Sequence, residues 1–460
     1  MSFDLATLLE ERRGENLALH LKLMNPQLAR VLTTLGFDRD YVRGEGCYLW
    51  DREGHRYLDL LAGFGVFALG RSHPVVKAAL HQALDADLPN LVQIDCALLP
   101  GLLAEALVAR THPGLERVVF CNSGAEAVEA AVKFARRATG RPGIVYCEHA
   151  FHGLTTGALA LNGGQEFRAG FGPLLPGALA VPFGDLAALE RALAPRDVAA
   201  FVVEPIQGKG VYLADEAYWQ GVQEVCRATG TLFVADEVQT GLGRTGRFLA
   251  HEHYGVQPDI VTISKALSGG YVPVGAMLCS DKVLRSVHRS MDQALVHSST
   301  FSRNQLAMVA GLATLSVFDD EGIVEHARRM GEIFEKALAP LVERHETLLE
   351  VRGKGLMIGL VFGPPSGRSA RRFRAIEALR PGLLSQLVVV PLFHRHRILT
   401  QVAADNVNVV KLLPPLIVGE EEVQMFVDAL DDVLTDAEEG GLLLEVGRTV
   451  ARSALRRRPA

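Results

Sequence analysis

Residues 232–281 read LFVADEVQTGLGRTGRFLAHEHYGVQPDIVTISKALSGGYVPVGAMLCSD. Three short apolar runs lie in this stretch: Leu232–Ala235, Ile260–Ile263 and Val272–Leu278. Each has strand length, and continuous apolar runs mark strands buried on both faces of a parallel sheet. Polar groups follow the first two at once. Asp236 and Glu237 close one run; Ser264 and Lys265 close the other. Ligand sites of α/β sheets gather at strand ends. An acid and a lysine so placed suit a pyridine cofactor held as a Schiff base: the amine bonds the cofactor aldehyde, and the carboxylate keeps the ring nitrogen protonated. Each half alone has a plainer reading, because Asp-Glu after a strand caps a helix and Ser-Lys-Ala starts one. Their spacing, and the Ser268-Gly269-Gly270 that follows, favour the chemical reading.

The segments ADEVQTGLGRTGRF and PDIVTISKALSGGYVPVGA carry a resemblance to the class III (subgroup II) pyridoxal-phosphate-dependent aminotransferases. That family includes ornithine, acetylornithine, 4-aminobutyrate and putrescine aminotransferases, and the likeness runs from roughly residue 30 to residue 436. It implies a fold-type I α/β enzyme whose large domain has a mainly parallel seven-stranded sheet, with a smaller α+β domain built from both chain ends. The division expected is 1–70 as an N-terminal segment of the small domain and 71–320 as the large cofactor-binding domain. Residues 321–436 would complete the small domain, and 437–460 form a basic extension. The implied cofactor is pyridoxal 5′-phosphate, with Lys265 as its anchor and proton carrier and Asp236 as partner of its ring nitrogen.

Composition agrees with a large globular enzyme. A chain of 460 residues with 48% hydrophobic content can bury an extensive core, and a net charge of −6 gives no general attraction to nucleic acid. Cys47, Cys96, Cys121, Cys147, Cys226 and Cys279 are scattered without metal-ligand spacing, so reduced thiols and no metal site are expected. The opening MSFDLATLLEERRG lacks a basic region followed by an apolar core, and no run approaches the ~20 residues of a membrane span, which predicts a cytoplasmic protein.

Other stretches supply the remaining candidates. Helical spacing covers much of 1–45, and GCYLWDREGHRYLDLL at 46–61 alternates like a hairpin. AGFGVFALGRSHP follows; a packed loop with core phenylalanines is the plain reading, while the family uses this loop at the substrate entrance, so Phe64 and Phe67 are candidate pocket walls. Helices are predicted at Pro74–Ala86 and Leu98–Arg110. RVVFCNSGAEAVEAAVKFARRA, 117–138, reads strand, small-residue turn and amphipathic helix. Its turn presents free N–H groups at a helix start, a ready anion site, and the family places its cofactor phosphate there, on Ser123, Gly124 and Ala125.

GIVYCEHAFHG, 143–153, ends a strand in an aromatic-His-Gly loop; by resemblance Phe151 stacks on the cofactor ring beside His152. VAAFVVEPIQGKGVY, 198–212, is a buried strand closed by Glu204, which the family puts near the cofactor O3′. By the same resemblance Val238 would touch the ring's other face and Gln239 would donate to O3′. In VHSSTFS, 296–302, Thr300 falls where the family sends a hydroxyl across a dimer interface to the partner's phosphate, which implies a homodimer with shared sites.

Three departures set this chain apart from its resemblance. Ornithine and acetylornithine aminotransferases carry Arg where this chain has Leu154, and ornithine-type members carry an acid where it has Lys209. The arginine of the terminal RxxPPL segment is Lys411, which keeps the charge and loses the bidentate fork. Together they favour a donor without an α-carboxylate, an aliphatic or hydrophobic amine or diamine, whose amino group passes to a 2-oxo acid by a ping-pong mechanism. The alternatives are an ornithine- or acetylornithine-type ω-amino acid aminotransferase, another reaction of the same cofactor (aminomutase, racemase or decarboxylase), and a non-catalytic scaffold. Residues 437–460 read as a surface helix with a frayed basic tail; contact with anionic lipid or an acidic partner is the sharper reading.

Overall fold

The computed structural model describes residues 3–364, 383–403 and 407–439. The expected basic extension at 437–460 therefore lies, but for residues 437–439, outside the described residues. Fifteen described strands fall in three sheets: β1 (Tyr41–Glu45), β2 (Tyr48–Asp51), β3 (Arg56–Asp59), β4 (Arg117–Cys121), β5 (Gly143–Cys147), β6 (Ala178–Val181), β7 (Val198–Val203), β8 (Leu232–Asp236), β9 (Ile260–Ile263), β10 (Gly275–Cys279), β11 (Leu348–Lys354), β12 (Met357–Phe362), β13 (Ile398–Leu399), β14 (Gln401–Val402) and β15 (Val409–Leu412).

The central sheet has the order β4-β10-β9-β8-β7-β5-β6. β9, β8, β7, β5 and β6 are parallel, while β10 is antiparallel to both its neighbours. β7 shows why the sequence dictates this: all six of its residues, VAAFVV, are buried, as a strand covered by helices on both faces requires. The run Val272–Leu278 forms a strand only from Gly275, and it returns antiparallel after β9 where a parallel partner was expected. Gly269 and Gly270 have positive φ and turn the chain straight back, and an antiparallel neighbour needs no long crossover.

The other two sheets join distant parts of the chain. β1-β2-β3 is completed by β13, and β11-β12-β15-β14 forms a second four-stranded sheet. Helix Gly124–Thr139 packs on the central sheet through Val128, Ala131, Val132 and Ala135, starts on the Ser123 cap and ends on left-handed Gly140. The consequence for the site is geometric. The carboxyl ends of β4, β5, β7, β8 and β9 share one edge, where β14 and β15 also reach the same cavity.

Candidate active site

Asp236 is the last residue of β8 and is paired in register with Thr262 of β9. Its carboxylate is almost wholly buried, yet fully engaged. Thr262 Oγ1 donates to Oδ1 at 2.9 Å, the Val238 N–H donates to the same oxygen at 3.1 Å, and His152 Nδ1 lies 2.7 Å from Oδ2. The pair reaches His152 through the β5 loop, where its N–H donates to Asn162 Oδ1. Burial opposes protonation of His152, but the Asp236 hydrogen bond and charge prevail and hold its pKa above the ordinary value. His152 Nε2 is buried without a partner.

Two residues past β9, Lys265 begins a one-turn 3₁₀ helix with φ of 42°. Burial lowers its pKa, against the pull of Asp236 and Glu204. A lysine that sheds its proton more readily is the nucleophilic form. Glu204, after β7, accepts from the N–H groups of Phe151 (3.1 Å) and Gly208 (2.8 Å), and burial with Asp236 nearby raises its pKa although His152 opposes this.

These groups surround a cavity of about 550 Å³. Gly124, Ala125, Phe151, His152, Glu204, Asp236, Val238, Gln239 and Lys265 line it, as do Phe64 and Lys411. Ser123 stands behind them as the helix cap, its Oγ accepting from the Glu126 N–H, and the first helical N–H groups, Gly124 and Ala125, have no intrahelical acceptor. Gly124 is required where it stands: a Cβ there would come 2.6 Å from Val238 Cγ1. A helix start for a phosphate, a buried carboxylate for a ring nitrogen, and an amine of lowered pKa fit pyridoxal phosphate as a set.

Besides Ser123, three expected residues do not line the cavity. Phe67 lies outside because its ring packs on Gly270 and beneath the Arg71 guanidinium, 3.8 Å away, so it supports the loop instead of walling the pocket. Leu154 is 56% exposed and does not line the cavity. Thr300 is exposed on a loop whose backbone carbonyl accepts from Gln93 Nε2 at 2.9 Å.

Conversely, Phe167 and the segment Gln401–Ala403 line the cavity without having been expected there. No sequence pattern marks them. Phe167 sits in a four-residue helix, and the 401–403 segment reaches the site only through β14 pairing with β15. Lys411 is buried on β15 and donates to the Gly208 carbonyl (2.6 Å) and to Gln239 Oε1 (3.0 Å). Burial, then Lys265, lower its pKa to about 7.

The profile of the family "Aminotransferase class-III" matches residues 34–434. The chain belongs to the class-III aminotransferases. Like them, it is a pyridoxal-phosphate-dependent transaminase that moves an amino group from an amine to a 2-oxo acid. Aminotransferase PigE of a Serratia strain is 36% identical over 92% of this chain, which spans about half (53%) of that longer protein. An acetylornithine aminotransferase of Caldanaerobacter subterraneus is 36% identical over 86% of this chain and 94% of its own. The structure of ornithine aminotransferase from Toxoplasma gondii, with partial pyridoxal-phosphate occupancy, superposes with a TM-score of 0.80. It is 28% identical and the match covers 95% of this chain and 99% of that one. Among the described residues of this class-III chain, no helix is long and apolar enough to cross a membrane.

Proposed function

We propose that this class-III aminotransferase takes its amino group from an aliphatic or hydrophobic amine or diamine lacking an α-carboxylate. The observation that carries this reading is Lys411. Two of its three donors are committed to Gly208 and Gln239, and its pKa of about 7 leaves a large neutral fraction at neutral pH. Such a group is a weak anchor for a donor carboxylate. Leu154 brings no charge to the cavity, while Phe64, Phe151, Phe167, Val238, Val402 and Ala403 give its walls apolar surface. Acetylornithine aminotransferases 37–38% identical to this chain favour the second reading, an ω-amino acid donor.

In the proposed assignment Lys265 anchors the cofactor, and its amine afterwards takes the proton from the donor Cα. Asp236, with Thr262 and His152 fixing its two oxygens, holds the cofactor ring nitrogen protonated. Ser123, Gly124 and Ala125 receive the phosphate. Phe151 and Val238 take up the ring between them, and Glu204 and Gln239 border O3′. When bound, pyridoxal phosphate supplies the aldehyde that accepts the amino group and the ring that draws electrons from Cα.

A homodimer completes this proposal, with Thr300 reaching the partner's phosphate. Its support is surface chemistry: Ile94, Met291, Leu295 and Phe301 are all more than 60% exposed, on two segments tied together by the Gln93–Thr300 hydrogen bond. Exposed apolar surface of this kind marks interfaces. The working compartment we infer is the cytoplasm, in line with six free cysteines, five of them buried.

Mixing the holoenzyme separately with a diamine, a long-chain monoamine, L-ornithine and L-glutamate tests the donor class. The absorption band of the lysine-bound cofactor should collapse with the carboxylate-free amines and change little with L-ornithine. Rapid conversion by L-ornithine would make Lys411 an adequate carboxylate anchor and sink the donor reading.

A further inference from the structure

Transamination has two halves, and the second needs a site for a 2-oxo acid, whose carboxylate must meet a cation in the cavity. Among the described residues, three lysines line it: Lys265, Lys411 and Lys209. Lys265 is taken by the cofactor in the proposed function. Lys411 has two donors bound to protein oxygens. Arg244, buried nearby, gives one guanidinium nitrogen to the Leu356 and Pro414 carbonyls and does not line the cavity.

Lys209 differs from all of these. Its backbone sits in a rigid loop: the Gly208 N–H donates to Glu204 at 2.8 Å, and the Gly210 carbonyl accepts from Arg352 Nη2 at 2.6 Å. Its ammonium lies 4.1 Å from the centre of the Phe167 ring, a cation–π contact, and 2.5 Å from Glu166 Oε1. The two partners are unequally buried, with side-chain exposures of 11% for Lys209 and 27% for Glu166. Glu166 belongs to the short helix Gln165–Arg168, and its carboxylate folds back over Gly164 into the space a Cβ there would take. The acid can therefore turn outward to water, whereas the lysine stays fixed in the wall.

We infer that Lys209 is the docking cation for a carboxylate of the 2-oxo acid acceptor, and that Glu166 is its resident competitor, displaced when the acceptor enters. This rests on the proposed function for where the acceptor binds. Opening the pair with nothing to replace Glu166 would leave a nearly buried cation unpaired, which is strongly unfavourable. An incoming carboxylate restores the charge-assisted hydrogen bond at once. A carboxylate-free amine offers no such exchange, so the pair stays closed during the first half-reaction. One pocket thus presents a neutralised wall to the donor and a cation to the acceptor.

The test isolates the second half-reaction. Apoenzyme charged with pyridoxamine phosphate needs no amine donor, so a wrong donor class leaves this experiment intact. Return of the pyridoxal-form absorption is followed against 2-oxoglutarate concentration, and glutarate, which cannot react, is titrated calorimetrically. Lys209→Met should raise the half-saturating 2-oxoglutarate concentration and the glutarate Kd by roughly 10- to 100-fold, the loss of one charge-assisted hydrogen bond. Glu166→Gln should lower both by roughly 3- to 10-fold, and should do nothing further in the Lys209→Met background. Acceptor affinity unchanged in Lys209→Met, or weakened in Glu166→Gln, overturns the inference. A purely structural pair would instead lower the thermal midpoint in both variants with no opposite movement of glutarate binding.

Discussion

The floor of the cavity and its outer wall are built by different means. Asp236, Glu204 and Lys265 stand at the ends of β8, β7 and β9, and each neighbour in the sheet fixes the next: Thr262 holds Asp236, and Glu204 holds the loops that carry Phe151 and Gly208. The wall is assembled from a short helix bearing Glu166 and Phe167, the loop bearing Lys209, and β14 and β15 bearing Gln401 and Lys411. Floor positions share register within one sheet, so one change disturbs several hydrogen bonds. Apart from the β14–β15 pairing, wall positions are joined by side-chain contacts such as Lys209–Glu166 and Lys411–Gly208. On the proposed assignment the floor carries the reaction type and the wall the substrate choice, and substitutions on either side should separate the two.

The largest effect belongs to the floor. Lys265→Ala removes the group proposed to carry the proton, and turnover should fall by roughly 10⁴-fold, the upper range for loss of a general acid–base group. Steady-state assay with the best donor checks this; a loss under tenfold would mean that another base does the work. Asp236→Ala comes next. It takes away the acceptor of Thr262, Val238 and His152 together, and kcat should drop by roughly 10²–10³-fold, as for loss of one preorganised electrostatic contact. Its His152 should titrate lower than in the wild type, because the Asp236 bond that outweighs burial is gone. An imidazole pKa that NMR titration finds unmoved would mean that Asp236 does not hold the His152 proton.

A wall substitution should behave differently. Phe167→Ala removes apolar surface facing both the cavity and Phe151, whose ring centre lies 5.4 Å away. For a long-chain amine the KM should rise about tenfold with kcat nearly constant, the signature of lost uniform binding. Equal losses in kcat and kcat/KM would put Phe167 with the floor.

This contrast also decides what could be read from sequence. Asp236 and Glu204 follow an apolar run directly and Lys265 one residue later, so strand ends announce them, and the Ser123-Gly124-Ala125 turn lies between a strand and an amphipathic helix. The run at Val272–Leu278 was legible as a strand while its direction was not, since direction depends on which strand lies beside it. Phe167 and Gln401 carry no periodic signal, and their place in the cavity comes from tertiary contacts, Phe167 with Phe151 and Gln401 with Lys411. Phe67 was a candidate wall through the resemblance alone, while the residues themselves read as a packed loop; its ring lies against Gly270 and beneath the Arg71 guanidinium and does not line the cavity.

Lys411 belongs to both regions, and its smaller effect sharpens the comparison most. Burial sets its folded pKa at about 7, well below the ordinary 10.5. Between those values the unfolded chain binds a proton that the folded chain does not, so this residue makes stability rise with pH over that window. Below about pH 7 both states are charged and the full cost of burying the cation is present. Lys411→Met removes the slope, although it also gives up the bonds to Gly208 and Gln239. The thermal midpoint of the variant minus that of the wild type, measured on cofactor-loaded protein so that Lys265 is engaged, should therefore decrease from pH 7 to pH 10, by about a few degrees. A difference that stays constant would mean that Lys411 remains charged throughout. It would then be a permanent cation beside Lys265, able to hold a donor carboxylate, and the division between a chemical floor and a wall suited to a donor without a carboxylate would fail at this residue.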